Sequence, residues 1–399
     1  MASHAPHYIW QQPDWPQLHF DFAAAGPALL RARELKGQAN GMARAIGLES
    51  MDAIAQELWM QEAVATAAIE GETLDLAAVR SSVLRHLGAD DRGPHLRHVD
   101  GLVEVIQDAT LNFREPLDTD RLCRWQSALF PGGTAGIRRI AVGRFRDHAD
   151  AMQIVSGALG KEVVHYTAPA SADVPREMEA FLQWFAATTP LPGRPAAMDG
   201  IARAAIAHVW FETIHPFEDG NGRIGRAVSD MALAQDSGAP TRLYSLSRQV
   251  LVERRGYYDA LAQAQRGGVD VTAFVQWFAD VFGRACVAAG EVIQASLERS
   301  RFWATQAQGA AINERQRKLL QRLLLAGDGG FLGGLNVEKY LKMVDASKAT
   351  ATRDLSDLVQ HGLLHTTGQG KALRYYVSVP GWAHGRDEPD HPPFANRRR

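Results

Sequence analysis

Twelve consecutive residues hold most of what could be chemistry in this chain: His215-Pro216-Phe217-Glu218-Asp219-Gly220-Asn221-Gly222-Arg223-Ile224-Gly225-Arg226. An imidazole, with a reference pKa of about 6.5, is largely neutral at pH 7 and can take a proton from an attacking hydroxyl. Gly220 and Gly222 let backbone approach an anion closely. Arg223 and Arg226, three residues apart, share one helix face, where guanidinium groups can grip phosphate oxygens. Asp219 is a hard oxygen ligand beside them. It suits Mg²⁺, which takes one or two carboxylates and leaves the rest of its octahedron to phosphate and water. The stretch reads as a phosphate site with its own base.

The flanking pattern says how these groups are held. Met198 to Thr213 carries Ile201, Ala204, Ala205, Ala207, His208, Trp210 and Phe211, a buried helix. Pro216 ends or bends it. Ile224, Val228, Met231 and Leu233 restart a helical pattern, so Gly220-Asn221-Gly222 stands at a helix N-terminus, whose unpaired N–H groups favour anions. The competing reading is a helix-loop-helix corner with glycines turning the chain and arginines facing solvent. It leaves unexplained the gathering of base, carboxylate, amide, two glycines and two arginines within twelve residues.

The stretch resembles the signature of the Fic family, H-x-F-x-[DE]-G-N-G-R-x-x-R, at every defined position. That resemblance implies AMPylation, in which AMP moves from ATP to a Ser, Thr or Tyr hydroxyl of a target protein and pyrophosphate leaves. It implies His215 as general base, Phe217 as the core anchor of the loop and Asp219 as the Mg²⁺ ligand. Gly220, Asn221 and Gly222 become the anion hole for the α- and β-phosphates, and Arg223 and Arg226 bind the β- and γ-phosphates. Doc-related phosphotransferases carry Lys where this chain has Gly222, which argues against their inverted ATP. De-AMPylation uses the same motif with a water nucleophile and stays open.

Upstream, Ser50 to Leu74 is helical and contains Thr66-Ala67-Ala68-Ile69-Glu70-Gly71. Thr66 and Glu70 are one helical turn apart, and Gly71 ends the helix as a C′ glycine does. The stretch resembles the family's inhibitory motif, [ST]-x-x-x-E-[GN]. By that resemblance Glu70 pairs with Arg226, Thr66 braces the helix, and the enzyme is autoinhibited at rest.

The expected fold is mainly α: a Fic helical core with a small β-hairpin flap, an N-terminal helical domain (1–90), a catalytic domain (91–300) and a C-terminal winged helix-turn-helix (301–380). A disordered tail is expected over 381–399. Phe22 to Ile46 is helical, and Trp10 and Trp15 read as anchors of an extended cap. Leu87 to Asp100, dense in Gly, Asp, Pro and His, marks the first boundary. Asp118 is an N-cap for a helix that ends at Pro131-Gly132-Gly133. Gly143-Arg144-Phe145-Arg146 opens the one clear β region before the motif, with Gln153–Val155 and Glu162–Tyr166 flanking a turn. By resemblance this hairpin, 153–166, is the flap that docks the target as an added strand.

Tyr257 and Tyr258 correspond to a family segment lining the adenine side of the pocket and are equally ordinary core residues. Val271 to Phe282 reads as a closing core helix, and Gly290 to Gln308 as a connecting one. Asn313–Leu325, Val337–Val344 and Ser347–His361 are three further helices. With Leu364–Thr366 and Leu373–Val377 they resemble a winged helix-turn-helix. Residues 311–380 hold ten Lys/Arg against six Asp/Glu, a balance of +4 that favours DNA, while Asp354 and Asp357 on the reading helix count against it. A DNA-binding regulator with a nucleotide-sensing core is the alternative class.

The net charge of -2 over 399 residues gives no global pull toward nucleic acid or membrane. No secretory signal or apolar run of about 18 residues is visible, so a cytoplasmic protein without a membrane span is expected. Cys123 and Cys286 read as buried free thiols. A symmetric homodimer is the general expectation for oligomers.

Overall fold

The computed structural model describes residues 8–44, 48–89, 91–156, 163–191, 193, 196–238, 243–327, 331, 333–380 and 382. Two compact units divide at Ile293 and Gln294. The turn of the expected flap, 157–162, and the expected tail lie outside the described residues, except for Trp382, which donates from Nε1 to Glu298 Oε2 at 2.5 Å.

The first unit is built around α7, Gly200–Ile214, every residue of which is buried. A helix apolar all round has to be enclosed by its neighbours. The earlier helices are α1 (Phe22–Arg44), α2 (Leu48–Ile69), α3 (Leu76–His86), α4 (Arg97–Leu111), α5 (Thr119–Leu129) and α6 (Val174–Ala187). After α7 come α8 (Asn221–Ser237), α9 (Leu246–Val252), α10 (Arg254–Arg266) and α11 (Thr272–Arg301). Asp199 caps α7 by accepting from Ile201 N and Ala202 N, and Asp118 caps α5 by accepting from Arg121 N. Antiparallel α8 runs along α7, with α4, α5 and α2 also against it.

Helix α2, which carries Thr66 and is followed at once by Glu70, is pinned to the start of α9 by a buried carboxylate. Glu62 accepts from Ser245 Oγ at 2.8 Å, from Ser247 N at 3.1 Å and from Ser247 Oγ. The other end of α2 closes in a glycine turn, with Gly71 N donating to Ala68 O and Glu72 N to Ala67 O, both at 3.0 Å.

Three expectations are corrected. Val271–Phe282 and Gly290–Gln308 are not two helices, because α11 runs unbroken from Thr272 to Arg301. Its glycines are packing notches: a Cβ at Gly283 would stand 3.1 Å from Leu35 Cδ1, and one at Gly290 2.7 Å from Met42 Cε, both on α1. Gly143–Arg146 is not a strand, since Arg146 is buried by side-chain bonds described below. A short hairpin, β1 (Thr134–Ala135) and β2 (Arg138–Arg139), precedes the expected one and turns on Gly136, with φ of 59°. The expected hairpin is β3 (Gln153–Ser156) with β4 (Val163–Thr167), antiparallel and shifted in register between Ile154 and Val155. Cys286 is buried, Cys123 is half-buried, and both are free.

The second unit contains α12 (Glu314–Ala326), α13 (Val337–Leu341), α14 (Lys348–Gln360) and the antiparallel pair β5 (Leu364–Thr367) and β6 (Arg374–Val377). Leu335 pairs with Tyr375 in an isolated antiparallel bridge. Leu320, Leu324, Tyr340, Leu355, Leu358 and Val377 are among the buried residues of its core. Asp354, expected on the reading face, is turned inward: it takes hydrogen bonds from Tyr340 Oη at 2.7 Å and Arg315 Nε at 3.0 Å. Asp357 accepts from Gln316 Nε2 at 2.7 Å.

Candidate active site

Helix α7 ends at Ile214, and the chain reverses through a residue that is not glycine. His215 has φ 50° and ψ 61°, the one non-glycine positive φ among the described residues. A side chain in the left-handed region costs of order 1 kcal/mol or more and persists where its surroundings over-determine it. Here they do. Arg146 Nε donates to His215 O at 2.8 Å, Arg146 Nη2 to Ile214 O at 3.2 Å and Pro169 O at 2.6 Å, Arg146 Nη1 to Ser171 Oγ at 2.9 Å, and Arg146 N to Pro216 O at 2.9 Å.

Within the loop, Asn221 folds the chain back on itself. Its Oδ1 accepts from Phe217 N at 2.9 Å and its Nδ2 donates to Phe217 O at 2.8 Å. Phe217 is fully buried and packs against Phe145, ring centroids 5.4 Å apart. Gly220 is the left-handed N-cap of α8, with φ of 88°. A Cβ there would stand 2.9 Å from Phe130 Cε2, so only glycine fits both the dihedral and the space.

Both arginines of the motif point back over this loop. Arg226 is buried and donates from Nε to Thr66 Oγ1 at 2.8 Å, and from Nη2 to Thr66 O at 3.1 Å and Glu70 Oε1 at 2.8 Å. A Cβ at Gly222 would lie only 2.2 Å from the same Glu70 oxygen, so that carboxylate rests on the glycine backbone. Arg223 lies over the Phe130 ring at 4.9 Å, with Glu72 Oε2 at 3.3 Å and Asp219 Oδ1 at 3.6 Å. Arg226 Nη1 and Arg223 Nε are buried without a hydrogen-bond partner, so donors remain for a larger anion.

The electrostatics favour an unprotonated imidazole. Burial, and then the Arg146 charge, lower the His215 pKa to about 4. Burial pushes Glu212, whose Oε2 is 3.7 Å from His215 Nδ1, up to about 8, against the pull of Arg226. Partial desolvation raises Glu70, but Arg226, with Arg223 and His215 beyond it, outweighs that and holds the carboxyl below its ordinary range.

Asp219 remains 37% exposed, with Oδ1 accepting from Gly220 N at 2.7 Å and Arg138 Nη2 3.8 Å from Oδ2. Among the described residues no three His, Cys, Asp or Glu side chains converge as a cage. A single exposed carboxylate fits an ion such as Mg²⁺ that takes its other ligands from phosphate and water.

The two tyrosines part company. Tyr257 is buried and its hydroxyl lies 3.0 Å from His208 Nε2. Ser229 Oγ donates to Gly225 O, so the 3.1 Å contact from His208 Nδ1 makes Nδ1 the protonated nitrogen and Tyr257 the donor to Nε2. Tyr258 is 43% exposed and donates to Ile69 O at 3.2 Å, at the end of α2.

Sequence reasoning missed Arg146, Phe130 and Glu72. Only Glu72 had a signal nearby, as an acid two residues beyond Glu70 in the same turn.

Residues 116–233 match the Fic/DOC family, and residues 8–89 match a domain of unknown function (DUF4172). The Fic/DOC match includes the whole stretch from His215 to Arg226. Protein adenylyltransferase Fic of Nematostella vectensis is 25% identical over 229 residues, 56% of this chain and 47% of that protein. Protein adenylyltransferase Fic of Culex quinquefasciatus is 26% identical over 271 residues, 65% of this chain and 47% of that protein. The chain thus spans about half the length of the curated relatives it matches. The crystal structure of a Fic family protein from Desulfovibrio desulfuricans G20 is 20% identical with a TM-score of 0.50, over 88% of this chain and 96% of that one. That likeness shows the fold: mainly α, with a Fic core and small hairpins. Among the described residues no helix is long and apolar enough to cross a membrane.

Proposed function

We propose that this chain transfers AMP from ATP to a protein hydroxyl with His215 as the base, and that Glu70 restrains it at rest. The reading is carried by one observation. A carboxylate already sits on the glycine loop and on Arg226, where an oxyanion meets close backbone and a buried guanidinium. A site that seats one anion so closely, with an unprotonated imidazole at its edge, suits phosphoryl-type transfer.

In the reaction, His215 takes the hydroxyl proton through Nε2, the nitrogen away from Glu212. The hydroxyl oxygen bonds to the α-phosphorus, the bond from that phosphorus to the bridging oxygen breaks, and pyrophosphate leaves with both electrons. Gly220 and Gly222 hold the α- and β-phosphates by backbone N–H, with Asn221 keeping the loop in shape. Arg223 and Arg226 take the β- and γ-phosphates once Glu70 has left. Asp219 would hold Mg²⁺, which when bound neutralises charge on the phosphate oxygens. Tyr258, with its half-open ring, is the candidate for the adenine side, and Tyr257 serves as core behind it.

Arg146 acts at one remove, fixing the carbonyls on either side of the His215 reversal. The target is proposed to dock on the β3–β4 hairpin, where Val155, Val163 and Val164 are exposed. ATP labelled at the α- or the γ-phosphate distinguishes the reactions. Protein of an extract should take label from the α position only, and label from the γ position would mean phosphate transfer instead.

One observation in the second unit favours DNA as an additional partner. With Asp354 buried inside the unit and Asp357 half-exposed but bonded by Gln316, the other exposed residues of α14 are Lys348, Ala349, Thr352, Arg353, Ser356 and Gln360, none of them acidic. Such a surface supports reading α14 as the DNA-facing helix of the module.

A further inference from the structure

Glu70 is not the only acid delivered by the end of α2. Glu70 follows the last residue of that helix, Ile69, Gly71 comes next with φ of 81°, and then Glu72. Glu72 Oε2 stands 3.3 Å from Arg223 Nη1, while Glu70 holds Arg226. Arg223 is only 10% exposed, so its charge is drawn largely out of water and gains from an anion beside it. Its other carboxylate neighbour, Asp219, is farther at 3.6 Å, and Phe130 covers its face. Each motif arginine thus has its own carboxylate, and both carboxylates flank one left-handed glycine.

We propose that Glu72 is a second acid of the brake, holding Arg223 as Glu70 holds Arg226, so that nucleotide phosphates must displace two carboxylates rather than one. The proposal rests on the reading of this loop as a nucleotide site. Glu72 is 38% exposed, which makes its hold the weaker and the more salt-sensitive of the two. His98 Nε2, on α4, lies 3.9 Å from the other oxygen of Glu72 and marks the direction into which the side chain can swing when phosphate takes Arg223. Gly71 is the common pivot. A Cβ there would meet nothing within 4 Å, so a side chain would strain the dihedral without a clash and loosen both acids together.

The test is the affinity for Mg²⁺-ATP, by calorimetry, of the full chain as wild type, Glu72→Gln, Glu70→Gly and the double variant. AMP, which has no β- or γ-phosphate for the arginines, is the control ligand. Glu72→Gln should tighten ATP roughly two- to fivefold in either background, as expected for a half-exposed ion pair, and leave AMP affinity unchanged. The gain should shrink in high salt. Gly71→Ala should tighten ATP at least as much as Glu72→Gln. A double variant that binds ATP no better than Glu70→Gly overturns the role of Glu72 and leaves the nucleotide site standing. A Glu70→Gly protein that binds neither ATP nor AMP overturns the nucleotide site itself, and the second acid with it.

Discussion

Glu70 Oε1 and Arg226 Nη2 lie 2.8 Å apart, and the same oxygen presses on Gly222, so one carboxylate closes both the arginine and the glycine side of the loop. Thr66 holds the rest of the guanidinium through Nε and Nη2. On the proposed function, phosphate and carboxylate compete for one place. Glu70→Gly should therefore tighten Mg²⁺-ATP about tenfold, the equivalent of about 1.4 kcal/mol for a partly buried pair. Calorimetry on the two proteins checks this, and equal affinities would mean that Glu70 does not obstruct the phosphates.

The protonation of His215 offers a test that needs no substrate. Its native pKa of about 4 lies below the imidazole reference of 6.5, so between those values the unfolded chain binds a proton that the native one does not. The contribution of His215 to stability is complete above pH 6.5 and is lost as pH falls toward 4. Glu212 works the other way: raised to about 8, it favours the native state below the ordinary carboxylate pKa and loses that contribution as pH rises through about 8. In proton NMR the His215 ring, assigned by difference from His215→Ala, should remain neutral at about pH 5.5. A titration midpoint near 6.5 would show the ring to be far more solvated than the structure has it.

Arg146 holds His215 from outside the motif. Its guanidinium bonds His215 O, Ile214 O, Pro169 O and Ser171 Oγ, and Arg146→Ala would leave buried carbonyls unpaired. The expected cost is about 2–4 kcal/mol in urea unfolding, with a fall in transfer rate per folded molecule as the left-handed His215 relaxes. Arg146→Lys should restore little of either, because one ammonium cannot reproduce a planar fork. Full stability in the alanine variant would count against this anchoring role.

The contrast between His215 and Arg146 explains what could be read before the structure. The motif packs base, glycines and arginines into one reversal between two helices, so type and spacing alone locate them. Caps at Asp118 and Ser347 are equally local, with side chain and backbone within three residues. Arg146 sits 69 residues before His215 in an ordinary-looking Gly-Arg-Phe-Arg stretch, and nothing in its spacing betrays four distant acceptors. The break expected between Phe282 and Gly290 fails for the same reason, since whether a glycine interrupts a helix or admits a neighbour depends on α1 across the fold. Asp354 looked like a surface acid because its partners Arg315 and Tyr340 come from other elements.

For the second unit, Lys348→Ala with Arg353→Ala should weaken binding to duplex DNA and lower the salt slope of log K by roughly 1.8, at about 0.9 per phosphate contact. A gel-shift series at several salt concentrations measures it. An unchanged slope would place any DNA contact elsewhere than α14.

The most direct test of AMP transfer under Glu70 restraint is the yield of AMP-modified protein in an extract supplied with Mg²⁺-ATP. It is read by peptide mass for wild type, Glu70→Gly and Glu70→Gly with His215→Ala. The expected result is a yield at least about tenfold above wild type for Glu70→Gly, falling by about 10²–10⁴ when His215 is also removed. Equal yields from all three proteins, or no AMP adduct from Glu70→Gly, would contradict it.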